Sequence, residues 1–239
     1  MWTSIALASE HRDYCGTIWR LVEGQHRIST NRLASDGATQ ALLEELAEEV
    51  KPQVPQSARH LHFLLATPFR YGHRSASRFR RADERPGIFY AAEAEATAIA
   101  ETAYWSLRFF SRSPDFVPPT ATVEYTSFDV RVATDRALDL TRPPFAAHVA
   151  AWTDPDDYAA CQALASEARL AETAVIRTPS ARADAGECNV VVIDPAAFVD
   201  AAPVIHRTWH FRHQGGRLSV LGAFPSSDRY EFTAAGFAF

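Results

Sequence analysis

Residues 78–101 read RFRRADERPGIFYAAEAEATAIAE, and this stretch sets the architecture. Its first part, through Arg85, is polar and lacks periodicity. Residues 87–90 (GIFY) are short, apolar and β-prone, which predicts a strand. The composition then turns to alanine and predicts a helix from about 93 to 110. Glu101 lies about two turns into that helix. Its neighbours Thr97, Ala98 and Thr102 are small and leave room for a ligand to approach.

Working outward, residues 16–23 predict a strand. Ser35 and Asp36 can cap a helix running to about 50, with Leu42, Leu43, Leu46 and Val50 on one face and Pro52 beyond its end. Residues 60–66 (HLHFLLA) predict a short buried strand. Residues 67–86 are a polar segment holding Arg70, Arg74, Arg78, Arg80, Arg81 and Arg85. Residues 121–132 have strand composition. Thr153-Asp154-Pro155 predicts the start of a helix that runs to about 171. Residues 174–177 and 189–193 predict strands around a polar loop. Residues 204–211 and 218–224 flank Gly215-Gly216, a hairpin signal, because glycine adopts the positive φ of a tight turn without steric cost. Strands and helices mix without a strict βαβ rhythm. The expected fold is α+β, a single domain over residues 1–239, with a mixed or antiparallel sheet, flanking helices and a helical insertion at about 25–54.

Composition narrows the function classes. The 239 residues are 47% hydrophobic and 22% charged, so a full core needs neither disulfides nor a structural metal. A formal charge of −5 weighs against direct nucleic-acid binding. Lys51 is the only lysine, so the cations are arginines, whose planar forks suit phosphate. Cys15, Cys161 and Cys188 form no C-x-x-C pair. No signal peptide and no membrane span are expected, and the expected location is the cytoplasm.

Arranged in order, these pieces resemble the RES domain of bacterial toxin–antitoxin toxins. The resemblance rests on Arg78-Phe79, a strand ending at Tyr90, Glu101 on the following helix, Pro179-Ser180, and a strand led by Asn189. An earlier arginine of the pattern matches Arg20 in TIWRLVE or Arg70 in TPFRY. The chain departs from the family form after Arg78, where Phe79-Arg80 stands and no glycine follows until Gly87. The insertion at about 25–54 is a second departure.

The resemblance implies a fold like that of ADP-ribosyltransferases and cleavage of the nicotinamide–ribose bond of NAD, used as substrate without a metal. It implies a toxin that passes ADP-ribose to a protein target, or to water or phosphate, and a cognate antitoxin with a helix-turn-helix domain. Glu101, Tyr90 and Arg78 are the implied catalytic residues. Arg20 or Arg70, with Arg78, Tyr90, Ser180 and Asn189, are the implied NAD-binding residues. The chemistry suits these side chains. Arginine forks hold a pyrophosphate. A fixed carboxylate stabilises the positive charge that develops on the ribose. An aromatic face stacks on the cationic nicotinamide ring.

Plainer readings compete. Arg80 and Arg81 can be surface residues pairing with Asp83 and Glu84, and Tyr90 a core aromatic. Glu101 can face solvent, Ser180 sit in a simple turn, and Arg20 or Arg70 serve a structural ion pair. His206, His210 and His213 lie on a predicted strand and would not converge on a metal; His60 and His62 lack a third ligand. Asp154, Asp156 and Asp157 favour a helix N-terminus over calcium. Two other functions compete with the NAD enzyme: an arginine-rich binding module for nucleic acid or an acidic protein, and a sugar–nucleotide hydrolase pairing Glu101 with a second carboxylate.

Overall fold

The computed structural model describes residues 2–24, 36–112, 121–183 and 186–237. Among them eight strands form one sheet: β1 (Arg12–Glu23), β2 (Phe89–Ala92), β3 (Val123–Asp139), β4 (Val175–Pro179), β5 (Cys188–Val192), β6 (Val204–Gln214), β7 (Arg217–Gly222) and β8 (Arg229–Thr233). The order is β1-β2-β5-β4-β3-β6-β7-β8, and β1 also pairs with β3. That extra pairing closes the first five strands into a ring, from which β6, β7 and β8 extend. Only β3–β4 is parallel; the remaining pairings are antiparallel. The fold is therefore α+β with a mixed sheet and flanking helices, as the sequence predicts. The hairpin turn is where expected, with Gly215 at φ 59° and Gly216 at φ 77°.

The apolar run of β5 explains its central place. Val190 and Val192 pack into one core cluster with Ile18, Phe89 and Phe128, while Val191 packs into another with Ile176, Phe79 and Leu164. A strand buried on both faces reads as a continuous hydrophobic run.

Six α-helices flank the sheet among the described residues: α1 (Ser4–Ser9), α2 (Gly37–Glu49), α3 (Phe63–Arg70), α4 (Glu95–Ser111), α5 (Val149–Trp152) and α6 (Ala159–Leu170). Two expectations need correction. Residues 60–66 are not a strand: His62 caps α3 by accepting from the Leu64 N–H at 3.3 Å, and Leu65, Ala66 and Phe69 turn inward at helical spacing. A short apolar run has no periodicity that separates the two structures. The helix expected from 153 begins at Ala159, because Asp154 closes a turn by accepting from the Asp156 and Asp157 N–H groups at 2.8 and 2.7 Å. Within the expected insertion, residues 25–35 lie outside the described residues; α2 follows, with Leu42 and Leu46 on it and Val50 just after it exposed.

Gly87 allows the close packing that leads the chain into β2. Its N–H donates to the Phe69 carbonyl at 3.2 Å, and a Cβ there would overlap the carbonyl oxygens of Pro68 and Tyr71.

Candidate active site

A row of paired residues crosses four strands: Trp19 on β1, Ala92 on β2, Asn189 on β5 and Thr178 on β4. Directly paired residues share a face, and these four floor a cavity of about 300 Å³. Tyr90 and Val191, two residues along their strands, extend the same floor, and α4 covers it with Ala98, Glu101, Thr102 and Trp105. Arg20 belongs by alternation to the opposite face. β1 and β2 pair only at Trp19↔Ala92, and Arg20 reaches the cavity beside that pair, its Nη1 donating to the Tyr90 carbonyl at 3.3 Å.

The position of α4 is set by two carboxylates near its start. Glu95 accepts from Arg207 and from the Trp209 indole N–H at 2.9 Å, both on β6. Glu93 takes a two-point ion pair from Arg177 of β4, at 2.8 and 2.9 Å. Together they fix the rotation of the helix and so the direction of Glu101. Residues 84 and 112 positions apart make these contacts, and no local sequence signal reveals them.

Glu101 is half-buried. Its Oε1 accepts from Ser180 Oγ at 2.9 Å and from Asn189 Nδ2 at 2.5 Å. Oε2 makes no hydrogen bond among the described residues. Asn189 Oδ1 is buried and has no partner there either. The site thus holds one anchored carboxylate with a free oxygen and one free amide acceptor beside it.

Tyr90 ties the arginine loop to the sheet. Its hydroxyl accepts from the Phe79 N–H at 3.0 Å and pairs with Ser77 Oγ at 2.8 Å. These are the two neighbours of Arg78. Burial pushes the Tyr90 phenol up to about 12, so it stays protonated at neutral pH. Arg78 itself is buried, lines the cavity, and makes no hydrogen bond or ion pair among the described residues. Burial lowers Arg20 to about 10, which leaves it charged, and its guanidinium lies 4.7 Å from the Phe89 ring centroid.

Of the residues singled out in the sequence, Arg20, Arg78, Tyr90, Glu101 and Asn189 line this cavity, and Ser180 supports it through Glu101. Arg70 lies elsewhere. It pairs with Glu48 at 2.6 Å and donates to the Pro52 carbonyl, fastening the end of α3 to the segment after α2. Arg80 is not a surface residue. It is buried and donates to the carbonyls of His73, Arg81 and Ser75 at 2.9, 2.9 and 2.6 Å, which holds the loop in shape. Trp19, Trp105, Tyr158 and Thr178 also line the cavity without having been singled out. Trp19 adjoins Arg20, and Trp105 follows Glu101 by one helical turn, so spacing could have found those two. Tyr158 and Thr178 arrive only through tertiary packing.

Among the described residues no group of three His, Cys, Asp or Glu side chains could hold a metal ion, and no helix is long and apolar enough to cross a membrane. His206 meets Asp129 at 2.6 Å and His213 meets Ser106 at 3.0 Å, so these histidines do not converge.

The RES domain family model matches residues 54–213, more than half of the chain. The match begins after β1, so Arg20 lies outside it although the fold brings Arg20 to the cavity. No curated protein matches the sequence. Among solved structures, the crystal structure of the M. tuberculosis MbcT-MbcA toxin-antitoxin complex has a chain similar to this one at 16% identity, with a TM-score of 0.47, over 85% of this chain and 91% of that chain.

Proposed function

The chain belongs to the RES-domain family, and from that premise we propose that it cleaves the nicotinamide–ribose bond of NAD and acts as the toxin of a toxin–antitoxin pair. The observation that carries this reading is the Glu101 carboxylate, held at one oxygen by Ser180 and Asn189 and free at the other, in a cavity whose buried Arg78 has no counter-ion among the described residues.

A cavity of about 300 Å³ is at the small end of the ligand-pocket range, suited to one half of a dinucleotide, with the other half at its mouth. In this reading the nicotinamide riboside half enters, and its cationic ring packs against the face of Tyr90. Arg78 and Arg20 neutralise the phosphates. As the bond from C1′ to the nicotinamide nitrogen breaks, its electron pair leaves with the neutral nicotinamide and the ribose becomes an oxocarbenium ion. The free Oε2 of Glu101 stabilises that charge or grips a ribose hydroxyl, which raises the rate because the interaction strengthens in the transition state. Asn189 Oδ1 accepts a second hydroxyl. A nucleophile then adds to C1′ and gives up its proton; the reading assigns this role to a side chain of a protein target, with water and phosphate as the other acceptors. The partner expected is an antitoxin with a helix-turn-helix domain that covers the cavity.

The test is purified protein, free of antitoxin, incubated with NAD labelled on its adenylate side, with and without cell extract. Nicotinamide release that Glu101→Gln reduces at least about a hundredfold supports the reading. Label on one protein band identifies a transferase, and label left in small molecules a hydrolase or phosphorolase. No release from folded protein under either condition overturns the proposal.

A further inference from the structure

Two indoles line the cavity, Trp105 from the helix that covers it and Trp19 from the sheet that floors it. Of the large apolar side chains lining it among the described residues, Trp105 alone is exposed, at 44%. A side chain that lines a cavity and also meets solvent marks its opening. Trp19 is half-buried and packs against the ring of His206, an exposed residue, with centroids 4.5 Å apart. Both rings are held. Trp105 meets the buried Tyr104 edge-on at 5.2 Å. His206 is fixed beside Trp19 by Asp129 at 2.6 Å, and Asp129 is the β3 residue paired with Trp19.

Trp105 follows Glu101 by four residues, so the two share a helix face about 6 Å apart along the axis. The carboxylate therefore lies one helical turn inside the opening that the indole marks. A cavity of about 300 Å³ encloses only half of a dinucleotide, and the other half must emerge past that opening. A large flat ring already fixed by its neighbours loses little freedom when a planar ligand stacks on it. A nucleobase is such a ligand, and stacking on an aromatic side chain strengthens its binding by about tenfold or more.

We infer that Trp105, with Trp19 as a second wall, is a stacking platform for the nucleobase of the substrate half that stays outside the cavity, while the reacting half lies at Glu101. That this base is the adenine of NAD rests on the proposed function; that the opening takes a nucleobase is tested apart from cleavage. The platform explains how the site would favour a dinucleotide over a mononucleotide carrying the same reactive bond.

The experiment is calorimetric binding of AMP and of ribose 5-phosphate, which differ in the base alone, to the wild type, Trp105→Ala, Trp105→Phe and Trp19→Leu, each checked for fold by circular dichroism. The wild type is expected to prefer AMP by about tenfold or more. Trp105→Ala should bring that ratio towards one, Trp105→Phe should recover part of it, and Trp19→Leu should lower it. If Trp19→Leu fails to fold, Trp105→Ala decides. A wild type indifferent to the base overturns the platform. So does Trp105→Ala with the wild-type ratio, which would leave the exposed indole to a protein partner. Initial rates of nicotinamide release from NAD and from nicotinamide mononucleotide separate the two claims. The preference for NAD in kcat/KM should fall about tenfold in Trp105→Ala. Equal losses on both substrates would assign the indole to the reacting half and overturn the platform. Cleavage with a base preference indifferent to Trp105 removes the platform alone. A base preference that depends on Trp105, without cleavage, removes the NAD reading alone.

Discussion

The Ser180 hydroxyl lies 2.9 Å from Glu101 Oε1 and also accepts from the N–H groups of Arg182 and Ala183, each at 3.1 Å. A backbone N–H can only donate, so the single hydroxyl proton must point at the carboxylate. Ser180 therefore serves as a fixed donor that orients the Glu101 carboxylate.

Ser180→Ala removes that donor and leaves Asn189 as the one remaining anchor of Oε1. Nicotinamide release should fall about ten- to a hundredfold in kcat with a smaller change in KM, because a mobile carboxylate loses stabilisation chiefly in the transition state. Ser180→Thr keeps the hydroxyl and should retain more activity. Steady-state kinetics checks both. A KM effect alone, with kcat intact, would assign Ser180 to ground-state binding.

Arg78 separates stability from activity. Its guanidinium is buried and has no protein counter-ion among the described residues, so it gives the empty protein little and costs desolvation. Arg78→Met should leave the unfolding free energy unchanged or raise it by up to about 2 kcal/mol, while kcat/KM for NAD falls about a hundredfold or more. Urea unfolding and initial rates on the same preparation test this. A clear loss of stability would mean that Arg78 is structural.

Tyr90→Phe should act in the opposite sense. The variant keeps the ring but leaves the Phe79 N–H, 3.0 Å from the lost hydroxyl, without its acceptor, and frees Ser77. An orphaned buried donor costs about 1–3 kcal/mol. Loosening both neighbours of Arg78 should also raise KM for NAD several-fold. Denaturant midpoint and KM are expected to move together; a shift in neither would release Tyr90 from the loop-holding role.

The local part of this site is legible in the sequence because it is local. Arg78, Tyr90 and Glu101 fall on one loop–strand–helix unit, and Ser180 and Asn189 frame one loop between two strands, so their order alone suggests convergence. What spacing cannot convey is the ring closure that brings Arg20 of β1 beside Tyr90, or the ion pairs Glu93–Arg177 and Glu95–Arg207 that orient α4. Arg20 and Arg70 were equivalent as letters; one reaches the cavity and the other binds Glu48, and tertiary pairing alone makes that distinction. The same limit hid α3, whose apolar run suits either period. It also hid the burial of Arg80, whose partners are backbone carbonyls that no residue pattern records.

The histidines give the protein an acid-sensitive side. His213, paired with Ser106 at 3.0 Å, is lowered by burial. His11, paired with Thr173 at 2.9 Å, is lowered by burial and then by Arg136. Both therefore bind protons less readily in the folded chain than in the unfolded one, whose value is near 6.5. The stabilisation is complete above that value and is lost as pH falls through it towards the lower folded values, because the unfolded state then takes up more protons. Burial pushes Glu95 up, but hydrogen bonds from Arg207 and Trp209 outweigh it and hold the carboxyl low, so Glu95 adds to the same trend only as pH falls through the carboxylate range. The urea midpoint should fall steadily from pH 7 to pH 5. The double variant His11→Gln, His213→Gln, which cannot charge at either position, should show a flatter profile over that interval. An unchanged slope in the double variant would move the acid sensitivity to other groups.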